Sequence, residues 1–142
     1  MVSAPEDMGR FLRALPLLDL EGAIVYFEGT EEAHVADYIR GFSISPLARV
    51  RRALAGERAP DCHHVPVTPS TMEALASFLH CHSNVFVCYH CHVYRNRSVL
   101  LEWYDACGED PIYISRALDH EVVQRFAQAM GSSFSASSEA DF

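Results

Sequence analysis

Hydrophobic and polar positions follow two rhythms along this chain, one of three and four residues and one of two, and the switches between them mark its elements. Met8, Phe11, Leu12 and Leu15 recur on one helix face, predicting a short amphipathic helix over residues 3–15 that Pro16 ends. Gly22 then opens an apolar, β-branched and aromatic run of strand length over residues 23–28, closed by Glu28 and Gly29. The helical rhythm returns over residues 31–39, with Val35, Ile39 and Phe42 inward and two acids in the first turn, where the helix dipole favours negative charge. Ser45 and Pro46 combine an N-cap residue with a proline at the first helical position. A further helix is therefore expected up to Gly56, with Leu47, Val50 and Leu54 inward. Arg49, Arg51, Arg52 and Arg58 form a local basic patch that reads as a solvated helix face.

Residues 59–67, punctuated by Pro60 and Pro66, read as a loop or an edge strand, because proline cannot donate to a central ladder. Ser70 and Glu73 stand at capping-box spacing, so a helix is expected over residues 70–80 with Met72, Leu75, Ala76 and Leu79 inward. After Ser83 and Asn84, residues 85–94 form the longest strand candidate. A turn at residues 95–98 returns the chain antiparallel over residues 99–104, and a second turn at 108–111 leads to a strand over 112–115. Trp103, facing oppositely to Glu102, should pack beneath a helix. A last helix over residues 119–130 has Asp119 as N-cap, Val122, Val123, Phe126, Ala127 and Met130 inward, and Gly131 as its left-handed stop. The predicted architecture is a single compact α+β domain over residues 1–131. Its sheet is mostly antiparallel, with a C-terminal three-stranded meander packed against helices, and residues 132–142 form a flexible Ser-rich acidic tail.

Composition narrows the function. Apolar residues make up 49% of the 142, enough to bury a core, and charged residues 21%. Nineteen acids against eleven bases give a net charge of -8, and every base is arginine. The absence of lysine excludes phosphate-binding lysines and Schiff-base chemistry, and the acidity argues against a nucleic-acid partner held by its phosphates. Arg13, Pro16 and Asp19 interrupt the apolar run from Leu12 to Leu20, so neither a secretion signal nor a membrane span is expected. The five cysteines are then expected as reduced thiols in the cytoplasm.

Ten of the thirteen Cys and His residues fall between Cys62 and His92, a density that suits a zinc site. Strand alternation would place Cys88, His90 and His92 on one face and Cys91 on the other, so positions 88 and 91 do not form a zinc knuckle. The candidate ligands are His90 and His92, with His80 or His82, or else His63 or His64, closing the site. Cys81 at a helix end and Cys107 among acids are poorly placed to become thiolates, so cysteine hydrolysis is not expected.

Two readings follow. The first is a small acidic binding protein without enzymatic activity or cofactor, such as a toxin-neutralising or regulatory module. It would hold a basic protein partner through Tyr104, Asp105, Glu109, Asp110 and Tyr113. The second is a zinc-binding protein or small metalloenzyme using the His/Cys cluster.

Overall fold

The computed structural model describes residues 1–5, 7–30, 32–43, 62–79, 88–106 and 110–136. The helix expected over residues 45–56 and the four arginines near it lie outside these residues. Four α-helices are described: α1 (Met8–Ala14), α2 (Ala33–Arg40), α3 (Pro69–Leu79) and α4 (His120–Ala129). A 3-10 turn over Leu15–Leu18 follows α1. Five strands, β1 (Ile24–Glu28), β2 (Cys62–Pro66), β3 (His90–Arg95), β4 (Ser98–Trp103) and β5 (Tyr113–Ile114), form one sheet in the order β2-β1-β3-β4-β5 with antiparallel pairings throughout. The fold is thus α+β, and β3, β4 and β5 make the expected meander. Among the described residues no helix is long and apolar enough to cross a membrane.

Alternation sorts the sheet into two unlike faces. Val25 and Phe27 of β1, His63 and Val65 of β2, Cys91 and Val93 of β3, and Leu101 and Trp103 of β4 are buried on one face. The helices cover that face. The Phe11 ring of α1 lies 5.0 Å from Trp103 and 6.2 Å from Phe126 of α4, so one aromatic cluster joins two helices to the sheet. Farther along, Tyr38 of α2 stacks on Phe78 of α3 at 3.8 Å. Buried Trp103 also donates from Nε1 to the Asp110 carbonyl at 3.1 Å, which satisfies its one polar atom and pins the turn after β4.

Several boundaries depart from the sequence pattern for identifiable reasons. Helix α1 begins at Met8, because Asp7 accepts from the Arg10 backbone amide and so caps the helix there. Pro16 opens the 3-10 turn rather than stopping the chain, since a proline lacks only a donor that the first turn leaves unused. The capping box at Ser70 and Glu73 does not form. Thr68 is the cap of α3, its hydroxyl accepting from the Thr71 amide at 3.1 Å with Pro69 just inside the helix, and the Glu73 carboxylate turns instead to Arg13 and Ser77. At the other end of the chain, Asp119 caps α4 and Gly131 takes φ +71° as anticipated. The chain stays tied beyond Gly131, because Val2 bridges both Ile112 and Phe134 and is fully buried. Residues 137–142 lie outside the described residues.

Two stability measurements test this packing. Trp103→Ala should cost about 3 to 5 kcal/mol in urea unfolding, as expected for removing a buried aromatic. Thr68→Ala should cost about 1 kcal/mol and Ser70→Ala only a few tenths, since the cap belongs to Thr68. Equal losses at the two positions would return the cap to Ser70.

Candidate functional site

The other face of the sheet carries the chemistry. Register carries one row of side chains across all five strands, because His64 pairs with Tyr26, Tyr26 with His92, His92 with Glu102, and Glu102 with Tyr113. The row beside it runs from Cys62 to Glu28 to His90. Among the described residues none of the four helices lies on this face, and its side chains are mostly half-buried. Tyr104, two residues beyond Glu102, is 45% exposed and leans back over the sheet, its ring 5.1 Å from His92 and 5.6 Å from His90.

Local structure fixes these rings. The Tyr26 hydroxyl donates to Cys62 Sγ at 3.0 Å, and the Tyr94 hydroxyl lies 2.9 Å from His64 Nδ1. The Asp105 backbone amide donates to His90 Nδ1 at 3.0 Å, so that nitrogen is the acceptor and any proton on the neutral ring sits on Nε2. Asp105 adopts φ +50°, a left-handed turn conformation that aspartate tolerates better than most residues. His92 Nδ1 is buried and has no hydrogen-bond partner. Burial therefore lowers the His92 pKa; Glu102 and Glu28 pull it upward and His90 pushes it down. Tyr104 is shifted up, first by desolvation and then by the charge of the nearby Glu102 carboxylate. Burial also raises the Tyr94 pKa.

Of the residues singled out for partner binding, Tyr104, Asp105, Asp110 and Tyr113 are described, and Glu109 lies outside the described residues. Tyr104 and Tyr113 share the open face with His90 and His92, so the sheet merges what the sequence separates into a partner surface and a metal site. Asp105 is exposed in the turn after β4, its amide on His90, whereas the Asp110 carbonyl meets the Trp103 indole on the core side of the sheet.

His80 and His82 lie outside the described residues. The His90 and His92 rings are stacked 23° from parallel with centroids 6.4 Å apart, whereas two imidazoles sharing a zinc converge to nitrogen–metal distances of about 2.0 to 2.1 Å. His63 points into the core, away from both. Among the described residues no group of three or more His, Cys, Asp and Glu side chains is arranged to hold a metal ion.

One expectation is corrected outright. Cys88 does not share a face with His90 and His92, because the strand begins at His90 and a bend at Tyr89 breaks the alternation. The bend is held from both sides: the Tyr89 amide donates to the Glu28 carbonyl at 2.8 Å, and the Ala106 amide donates to the Tyr89 carbonyl at 2.7 Å. Gly29, at φ +83°, leaves room for the Tyr89 ring, which would come within 2.5 Å of any Cβ built there. Cys88 is thereby turned into the core, beside Cys91. Desolvation, reinforced by the neighbouring Cys88, pushes the Cys91 thiol well above its ordinary value, so Cys91 is apolar filling rather than a nucleophile.

Sequence reasoning missed Tyr26, Glu28 and Glu102 as members of this face; His64, expected as one residue that could close a site with His90 and His92, does lie on it. The alternation of β1 already separates Tyr26 and Glu28 from Val25 and Phe27, but nothing local reveals that β1 lies between β2 and β3.

The depressed His92 pKa has a definite sign. The fold favours the neutral ring, so the contribution of His92 is fully present above the unfolded value of about 6.5 and is lost as pH falls through the lower folded value. The urea midpoint should fall from about pH 7 to pH 5, and His92→Gln should flatten that fall. A variant with an unchanged slope would move the responsible proton elsewhere.

Comparison with protein-family models, with curated proteins and with solved structures gave no match, so the reading of this face rests on its own residues.

Proposed function

We propose that the protein is a small acidic binding domain, without catalytic activity of its own, that holds a basic protein partner on the open face of its sheet. The observation that carries this reading is the placement of the Glu28 and Glu102 carboxylates among the rings of Tyr26, His92, Tyr104 and Tyr113, on a face that no described helix covers. Rigid aromatic rings supply contact area at low entropic cost, and carboxylates beside them select the sign of the partner. Exposed Asp105 adds a carboxylate beside Tyr104, and the net charge of -8 steers a basic protein toward this face. Toxin neutralisation and regulation are the two uses that suit such a surface. Free thiols at Cys62, Cys88 and Cys91 accord with a reducing cytoplasm.

The test is capture from a native lysate at low salt, followed by measured association of the captured protein across a salt series. A basic partner whose association slows as salt rises is the expected result. Tyr104→Ala should weaken binding by about 2 kcal/mol or more while leaving the unfolding midpoint nearly unchanged, because the ring is exposed. Capture of nothing, or an association rate indifferent to salt, would remove this reading.

A further inference from the structure

The open face differs from a generic acidic surface in one respect. By register its described strand positions carry Ile24, Tyr26 and Glu28, Cys62, His64 and Pro66, His90, His92 and Tyr94, Val99 and Glu102, and Tyr113. Every formally charged side chain in that set is a carboxylate, and each carboxylate has an aromatic or imidazole ring as its neighbour across the strands. Glu28 and Glu102 approach His92 from opposite sides, through β1 and β4, closely enough that both act on its ring electrostatically. Tyr26 lies nearly parallel to His92 at 6.1 Å, and Tyr104 stands at 68° to it. The result is a shallow cradle with a flat ring as floor, a raised and half-exposed tyrosine as wall, and a carboxylate on either side.

We propose that this cradle receives an arginine side chain of the partner, its guanidinium lying against the Tyr104 ring and donating to Glu102 and Glu28. The inference rests on the binding function above and names the group that is recognised. A planar, weakly hydrated guanidinium can stack on a ring and keep its edge donors aimed at carboxylates; a lysine ammonium is a compact, strongly hydrated point charge that can do only one of these well. The Tyr104 ring packs against His92 and His90, which holds the tyrosine wall in place, and the Glu102 carboxylate beside it has lone pairs for an incoming donor. Arg13 is bound to Glu73, Arg95 reaches the Glu21 carbonyl, and none of the face positions named above is basic.

The experiment uses the full chain and two defined probes, hexa-arginine and hexa-lysine peptides of equal charge, titrated at about 50 mM salt, where exposed charges are weakly screened. Hexa-arginine should bind about tenfold tighter than hexa-lysine, and Tyr104→Leu and Glu102→Gln should each abolish most of that preference. Glu121→Gln, on exposed α4 across the sheet from this face, should leave the preference intact. Circular dichroism verifies that each variant is folded. Equal affinities for the two peptides, or a loss on Glu121→Gln as large as that on Glu102→Gln, would overturn guanidinium recognition. If a captured basic partner is lost on Tyr104→Ala while the two peptides bind alike, the binding function stands and the arginine assignment falls.

Discussion

The contact on which the rest of the molecule depends is the one between Phe11 and Trp103. It is where the first helix meets the sheet, and Phe126 completes it from the last helix, so residues far apart in sequence share one aromatic cluster. The cluster decides which face of the sheet is inside. Once Trp103 is committed to the helices, Glu102 and Tyr104 on either side of it must face the opposite way, and pairing with β3 and β5 then brings His92 and Tyr113 to the same side as Glu102. The open face is therefore a consequence of core packing. Its tyrosines and histidines are mostly half-buried, and burial is what lowers the His92 pKa.

A second constraint acts at the entry to β3. The close approach of Tyr89 to Gly29 bends the chain before the strand, sends Cys88 inward and leaves His90 as the first residue of the regular alternation. Both thiols end up buried in apolar surroundings, where desolvation raises Cys91, while His90 and His92 from the same short segment lie half-buried on the opposite face. Cysteine and histidine thus divide by environment rather than by spacing.

Those two constraints explain what could be read from the sequence. The elements β1, α2, α4 and the meander were legible because each carries its own periodicity and its own stops, such as Asp119 and Gly131 around α4. Trp103 was legible as a core residue because alternation against Glu102 is local. The cap of α3 was not, because Thr68 and Ser70 are both competent and only the position of Pro69 decides between them. The bend at Tyr89 depends on a glycine sixty positions earlier, and strand order places His64 and Tyr26 beside His92 through contacts that no window of sequence contains. Half of the candidate face was therefore visible as a list of residues, Tyr104, Tyr113, His90 and His92, without any sign that they belong together.

The bulge in the β3–β4 hairpin has a consequence of its own. Up to Tyr94 and Val99 the ladder follows the frame set by the turn, and from Val93 and Leu101 onward it runs one residue out of that frame. Leu100 and Leu101 are consecutive and both buried, which regular alternation forbids. The turn and the core thus ask for different frames, and the bulge reconciles them. Continued without it, the turn's frame would pair Glu102 with Cys91, turning the carboxylate into the core and Trp103 out to water. The hairpin in isolation has no reason to prefer the native frame, so which face of the sheet is left open is decided only when the helices arrive.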